Sequence, residues 1–76
     1  MIDVGDVIKG KVISIDQEYV VVDINYKSEG VVNLSEFKSY DGSLTVQEGD
    51  EIEVYVVRLE NDNGMVVLSK DKADMM

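Results

Sequence analysis

Hydrophobic and polar residues alternate with a period near two over much of this chain, the signature of strands with one buried and one exposed face. The clearest case is Glu51 to Leu59, where Ile52, Val54 and Val56 alternate with Glu51, Glu53 and Tyr55. Asp6 to Ile15 mixes β-branched residues with Lys9 and Lys11, which are two apart and so point to one side of a strand. Glu18 to Ile24 sets Val20, Val22 and Ile24 on one face and Tyr19, Val21 and Asp23 on the other. Both of those faces are largely apolar, which implies curvature or coverage. Gly30 to Leu34 predicts a short third strand, and Met65 to Lys70 a fifth.

The segments between these runs read as turns and one longer connection. Asn25 to Ser28 predicts a turn, and Asn61 to Gly64 a hairpin turn ending in Asn63-Gly64. Alternating acidic and amide oxygens from Glu60 to Gly64 resemble the start of a calcium loop, but the rest of that frame is missing, so no metal is assigned. After the third strand, Ser35 to Phe37 predicts one helical turn, with Leu34 and Phe37 three apart on its apolar side to plug an open barrel end. Lys38 to Gly49 is polar, carries Asp41-Gly42, and predicts a connecting loop. The phrase GDVIKGKV at 5–12 echoes GDEIEVYV at 49–56; the material between does not recur, and a Gly-Asp turn opening two separate strands accounts for both.

Five short strands with one longer connection between the third and fourth define an all-β expectation. The fold it predicts is a five-stranded antiparallel OB-fold barrel with one short helical turn between strands three and four, closed so that no edge is left free. Val12, Ile15, Val22, Ile24, Ile52, Val54, Val56 and Leu68 are the expected core. Residues 1–70 make one domain, and 71–76 (DKADMM) read as the start of a linker or tail.

Composition narrows the chemistry. A chain of 76 residues supports one small core, with 45% apolar residues biased towards valine and isoleucine. It has no cysteine and no histidine, which removes disulfides, thiolate nucleophiles, imidazole bases and the usual zinc ligands. The carboxylate pairs Asp3 with Asp6 and Glu51 with Glu53 lie along a turn or an exposed strand face, where nothing desolvates them enough to split their pKa values. An enzyme is therefore not expected, nor any cofactor. MIDVGDVIKG lacks a basic segment followed by an apolar stretch, and no run approaches a membrane span, so a soluble, cytoplasmic protein with no membrane partner is expected.

Sixteen acidic residues against seven basic ones give a net charge of −9, which repels a polyanion as a whole and leaves binding to local cations such as Lys9, Lys11, Lys38 and Arg58. Against that background, VGDVIKGKVISI, VVVDI, EGVVNLSEF, VQEGDEIEVYVV and GMVVLSK, in that order, resemble the S1 RNA-binding domain family from Val4 to about Lys70. The resemblance implies an RNA-binding surface on the second, third and fifth strands. Family members that bind RNA well resemble F-G-x-F-V on the second strand, two aromatics that stack on bases.

In this chain Glu18 and Val21 stand where those aromatics are usual, and Tyr19 where glycine is usual. Asn33 takes the place of a histidine on the third strand, and Met65 that of a basic residue after the turn glycine. The fold motif is kept and the stacking motif is lost, which implies weak single-stranded RNA binding. Tyr19 and Tyr40 remain as candidate stacking faces. With its acidity and its KSEG segment, the chain looks most like the first repeat of the ribosomal protein built from these domains. That likeness implies further repeats in a parent chain and a role in docking to a small ribosomal subunit protein, so in messenger RNA recruitment; the alternatives are a direct, weak single-stranded RNA-binding domain or an accessory domain of a transcription or RNA-processing factor. The candidate RNA-binding or partner-binding face is Lys9, Lys11, Glu18, Tyr19, Val21, Asn33 and Met65.

Overall fold

In the computed structural model, residues 2–74 are described, and they form a closed barrel. Its elements are β1 (Val7–Ile15), β2 (Tyr19–Asp23), β3 (Gly30–Asn33), a 3-10 turn η1 (Leu34–Phe37), β4 (Glu51–Arg58), β5 (Val66–Ser69) and a short helix α1 (Lys70–Asp74). Around the barrel the strands run β1, β2, β3, β5, β4, and β4 returns to β1. The long β1 serves two neighbours: Val7 to Lys11 pair with β4 and Lys11 to Ile15 with β2.

Four seams are antiparallel, and β3 and β5 pair in parallel, within the five-stranded OB-type barrel expected from the sequence. Closure requires it. Directions can alternate around a ring only if the number of strands is even, so a five-stranded closed barrel must contain a parallel seam.

The interior is largely valine. Val12, Val20, Val22, Val32, Val54, Val56 and Val66 are fully buried, with Ile24 and Leu68 beside them. β-branched side chains suit strands and lose little rotamer freedom there. Phe37 of η1 is buried and plugs one end as expected, joined by Val46 from the long connection. Ile15 and Ile52, expected in the core, are instead half-buried at its rim, packed against it together with Leu34. Two glycines set the tightest approaches: a Cβ at Gly10 would overlap Val22 Cγ1, and one at Gly30 would overlap Leu68 Cδ1.

The β4–β5 turn closes as a hairpin. Asn61 Oδ1 accepts the Asn63 and Met65 amides at 2.8 and 2.9 Å, and Gly64 supplies a φ of 78°. Lys70, expected to end the fifth strand, instead opens α1 (Lys70–Asp74), which continues into the expected tail and packs against β4. Residues 75 and 76 of that expected tail, and residue 1 of the expected domain, lie outside the described residues.

Candidate nucleic-acid interface

The outward sides of β2, β3 and β5 form one strip because the register lines them up. Tyr19 stands opposite Asn33 and Val21 opposite Val31 across the β2–β3 seam; Val31 in turn stands opposite Val67 of β5. Tyr19 is 44% exposed, which leaves its ring open to an approaching group. Asn33 is exposed, and its side chain makes no capping bond to η1, so its amide is free to pair with an approaching group. Val21 and Val67 are half-buried and Val31 is buried, giving an apolar floor between the polar ends of the strip. The geometry provides a stacking face beside a donor and acceptor pair, which suits an unpaired base.

Not every sequence-predicted residue joins this strip. Met65 lies just before β5, where the adjacent Val66 amide bonds the Glu29 carbonyl, so it borders the strip at the end away from Tyr19. Glu18 lies in the turn before β2, exposed, and its carbonyl accepts the Leu34 amide at 2.9 Å. Lys9 and Lys11 lie on β1 opposite Glu53 and Glu51 of β4, and Lys11 also faces Asp23 of β2, at the end of the strip away from Tyr19. Neither lysine forms a salt bridge with these carboxylates among the described residues, and their distance from Tyr19 follows from β1 pairing with β4 along its first half.

Three residues of the strip escape a reading by strict alternation. Val31 and Val67 follow from register, which a single strand does not reveal. Arg58 reaches the outside because the β4 register shifts between Val56 and Arg58, placing it opposite Val67. The signal was present: with Val54 and Val56 pointing inward, Arg58 has core parity, and an arginine there calls for a bulge.

Tyr40 is fully exposed, but it belongs to a separate loop. The Asp41 carboxylate accepts the hydroxyls of Ser39 and Ser43 and the Ser43 amide, while the Ser39 amide bonds the Ser43 carbonyl. Those bonds, led by the Ser39 hydroxyl, hold the Asp41 carboxyl well below the usual carboxylate range.

A five-stranded closed barrel with a parallel β3–β5 seam defines the OB class of barrels. The model of the S1 RNA binding domain matches residues 2–71, and the chain belongs to that family. It is 49% identical over 69 residues to small ribosomal subunit protein bS1 of Chlamydia trachomatis, and 51% identical over 71 residues to bS1 of Rhizobium meliloti. Each match covers 91% of this chain and 12% of the relative, so the chain spans about an eighth of their length. Its barrel superposes on the solution structure of GSP13 from Bacillus subtilis with a TM-score of 0.80 at 24% identity, over all of this chain and 61% of that one. The function defined at this level is binding by an RNA-binding domain, not catalysis. No helix among the described residues is long and apolar enough to cross a membrane.

Proposed function

We propose that this chain is one repeat of a bS1-type protein, the first in order, acting as a translation module whose outward strip makes light contact with single-stranded RNA. The observation that carries this is Tyr19 directly opposite Asn33, an open aromatic face beside an uncommitted amide. Further repeats in the parent chain supply the main grip on messenger RNA, and this one contributes to attachment on the small ribosomal subunit. The contact is light because the strip carries one aromatic, and each stacked base is worth roughly 1–3 kcal/mol. Titrating a fluorescent oligouridylate into the domain tests it: affinity in the high micromolar range or weaker near physiological salt is expected, improving as salt is lowered. Nanomolar affinity at physiological salt, or no binding at low salt, overturns it.

A second reading rests on the apolar floor Val21, Val31 and Val67 and the charge of −9. In this reading the same strip docks a basic protein of the small subunit, steered by the surrounding carboxylates. Co-sedimentation of ribosomes with parent protein carrying Val21→Asp or Tyr19→Ala separates the two. Loss of ribosome attachment with unchanged RNA affinity of the isolated repeat favours docking; a parallel loss of RNA affinity favours the RNA contact.

A further inference from the structure

The barrel's two register shifts fall at the two ends of one cross-strand row. On β1 the shift between Val12 and Ser14 sets Ser14 opposite Val21. On β4 the shift between Val56 and Arg58 sets Arg58 opposite Val67. Val21 faces Val31, and Val31 faces Val67, so Ser14, Val21, Val31, Val67 and Arg58 cross all five strands in one line. Each bulge puts a polar side chain at the end of an apolar row.

The β4 bulge decides where Arg58 points. Without the bulge between Val56 and Arg58, Arg58 would share the inward parity of Val54 and Val56, both fully buried, and its guanidinium would enter an interior of valines. A bulge costs ladder hydrogen bonds, and bulges recur where a side chain must be re-aimed beside a site. Here the re-aimed group is a cation.

The other cations are placed differently. Lys9 and Lys11 face Glu53 and Glu51, Lys27 lies over Tyr26, Lys72 over Tyr55, and Lys70 pairs with Asp74. Lys38 lies on the long connection, in a bridge with Leu44. Arg58 is exposed and, like every cation except Lys70, makes no salt bridge among the described residues. It is the cation that the register places at the end of the apolar row, opposite Val67, whereas Lys11 faces the carboxylate-bearing Asp23.

We propose that Arg58 is the phosphate contact of this strip. From β2 to β4 the path crosses three seams, about 14 Å around the barrel, a span of a few nucleotides between a base on Tyr19 and a phosphate on Arg58. The planar guanidinium can donate two parallel bonds to one phosphate, which an ammonium cannot match in geometry. This assignment rests on the RNA reading above and names the group that supplies its electrostatic part.

The test is a salt series of oligouridylate binding to the 76-residue chain, unmodified and as Arg58→Ala, Arg58→Lys and Lys9→Ala. Removing one phosphate contact lowers the slope of log affinity against log salt by about 0.7 for a single strand. Arg58→Ala is expected to lose that much slope, Arg58→Lys to keep the slope while binding more weakly, and Lys9→Ala to leave both unchanged. Circular dichroism confirms that each variant keeps the strand spectrum, as an exposed site should. If the unmodified chain binds and Arg58→Ala keeps its full slope, the assignment of Arg58 is wrong while the RNA reading survives. If the unmodified chain fails to bind even at low salt, both fall.

Discussion

The Glu36 carboxylate in η1 accepts the backbone amide of Lys70 at 2.7 Å, tying the turn after β3 to the first residue of α1. The same oxygen accepts the Asp71 amide at 2.9 Å and the Ser69 hydroxyl at 3.2 Å. A helix start leaves its first amides without partners, and a carboxylate brought from elsewhere in the chain meets that need as an N-cap does. Lys72 then lies over the Tyr55 ring, with its Nζ 5.6 Å from the ring centre.

Glu36→Ala is therefore expected to free α1 while leaving the barrel closed. The expected cost is about 1 kcal/mol, in the range of a lost cap. Amide exchange should quicken at Lys70 to Lys72 and stay slow at Val54 and Val56, and urea unfolding reads the total. Uniform quickening across the barrel would mean that Glu36 supports the core instead.

Core and rim should separate by mutation. Val54 is fully buried, so Val54→Ala removes two methyl groups and leaves a cavity, at an expected cost of about 2–3 kcal/mol in urea unfolding. Ile52 is half-buried at the rim, and Ile52→Ala is expected to cost about 1–2 kcal/mol despite the larger side chain removed. Gly10→Ala should also destabilise, by about 1–3 kcal/mol, because the added Cβ meets the Val22 side chain and, at 3.2 Å, the Asp23 carbonyl oxygen, which is backbone and cannot swing aside.

These contrasts show what alternation alone can reveal. Val12, Val22, Val54, Val56 and Leu68 were legible as core because each sits at inward parity within its own strand. Ile52 shares that parity and Ile15 recovers it through the shift between Val12 and Ser14, yet burial also depends on how close a residue lies to the barrel mouth, a property of closure that no single strand records. Lys9 and Lys11 were legible as one-sided, but which side they take follows from β1 bending between β2 and β4. Tyr19, Val21 and Asn33 could be grouped because family resemblance supplied the strand neighbours. Arg58 needed the bulge at Val57, seen in sequence only as a charge at a core position.

The Asp41 loop gives a prediction in pH. Its carboxyl is held below the ordinary aspartate value of about 3.9, so the ionised form braces the loop above that value and the bracing is lost only as pH falls through the lower, folded value. An acid titration followed by NMR is expected to leave the Asp41 carboxyl ionised at about pH 3, where ordinary aspartates are mostly protonated. Ser39→Ala removes the largest cause and should move the midpoint towards the ordinary range. A midpoint near 4 in the unmodified chain would mean that the serine hydroxyls do not hold this geometry in solution.

The missing stacking faces can be put back. Val21 shares the outward side of β2 with Tyr19, two residues along, so Val21→Phe places a second ring about 7 Å from the first on one side of the strand. One added stacking face is worth roughly 1–3 kcal/mol, about 5- to 150-fold in affinity for a single-stranded oligonucleotide. Combining it with Glu18→Phe and Asn33→His should strengthen binding further, since the first change removes an exposed negative charge at the Tyr19 end and the second keeps a polar group opposite Tyr19. Because added aromatics can also promote self-association, the titration is read beside the sedimentation of the free variant. Tighter RNA binding by a monomeric triple variant would locate the contact on this strip. An affinity unchanged from that of the unmodified chain would mean that RNA meets the barrel elsewhere, and would leave the strip to a protein partner.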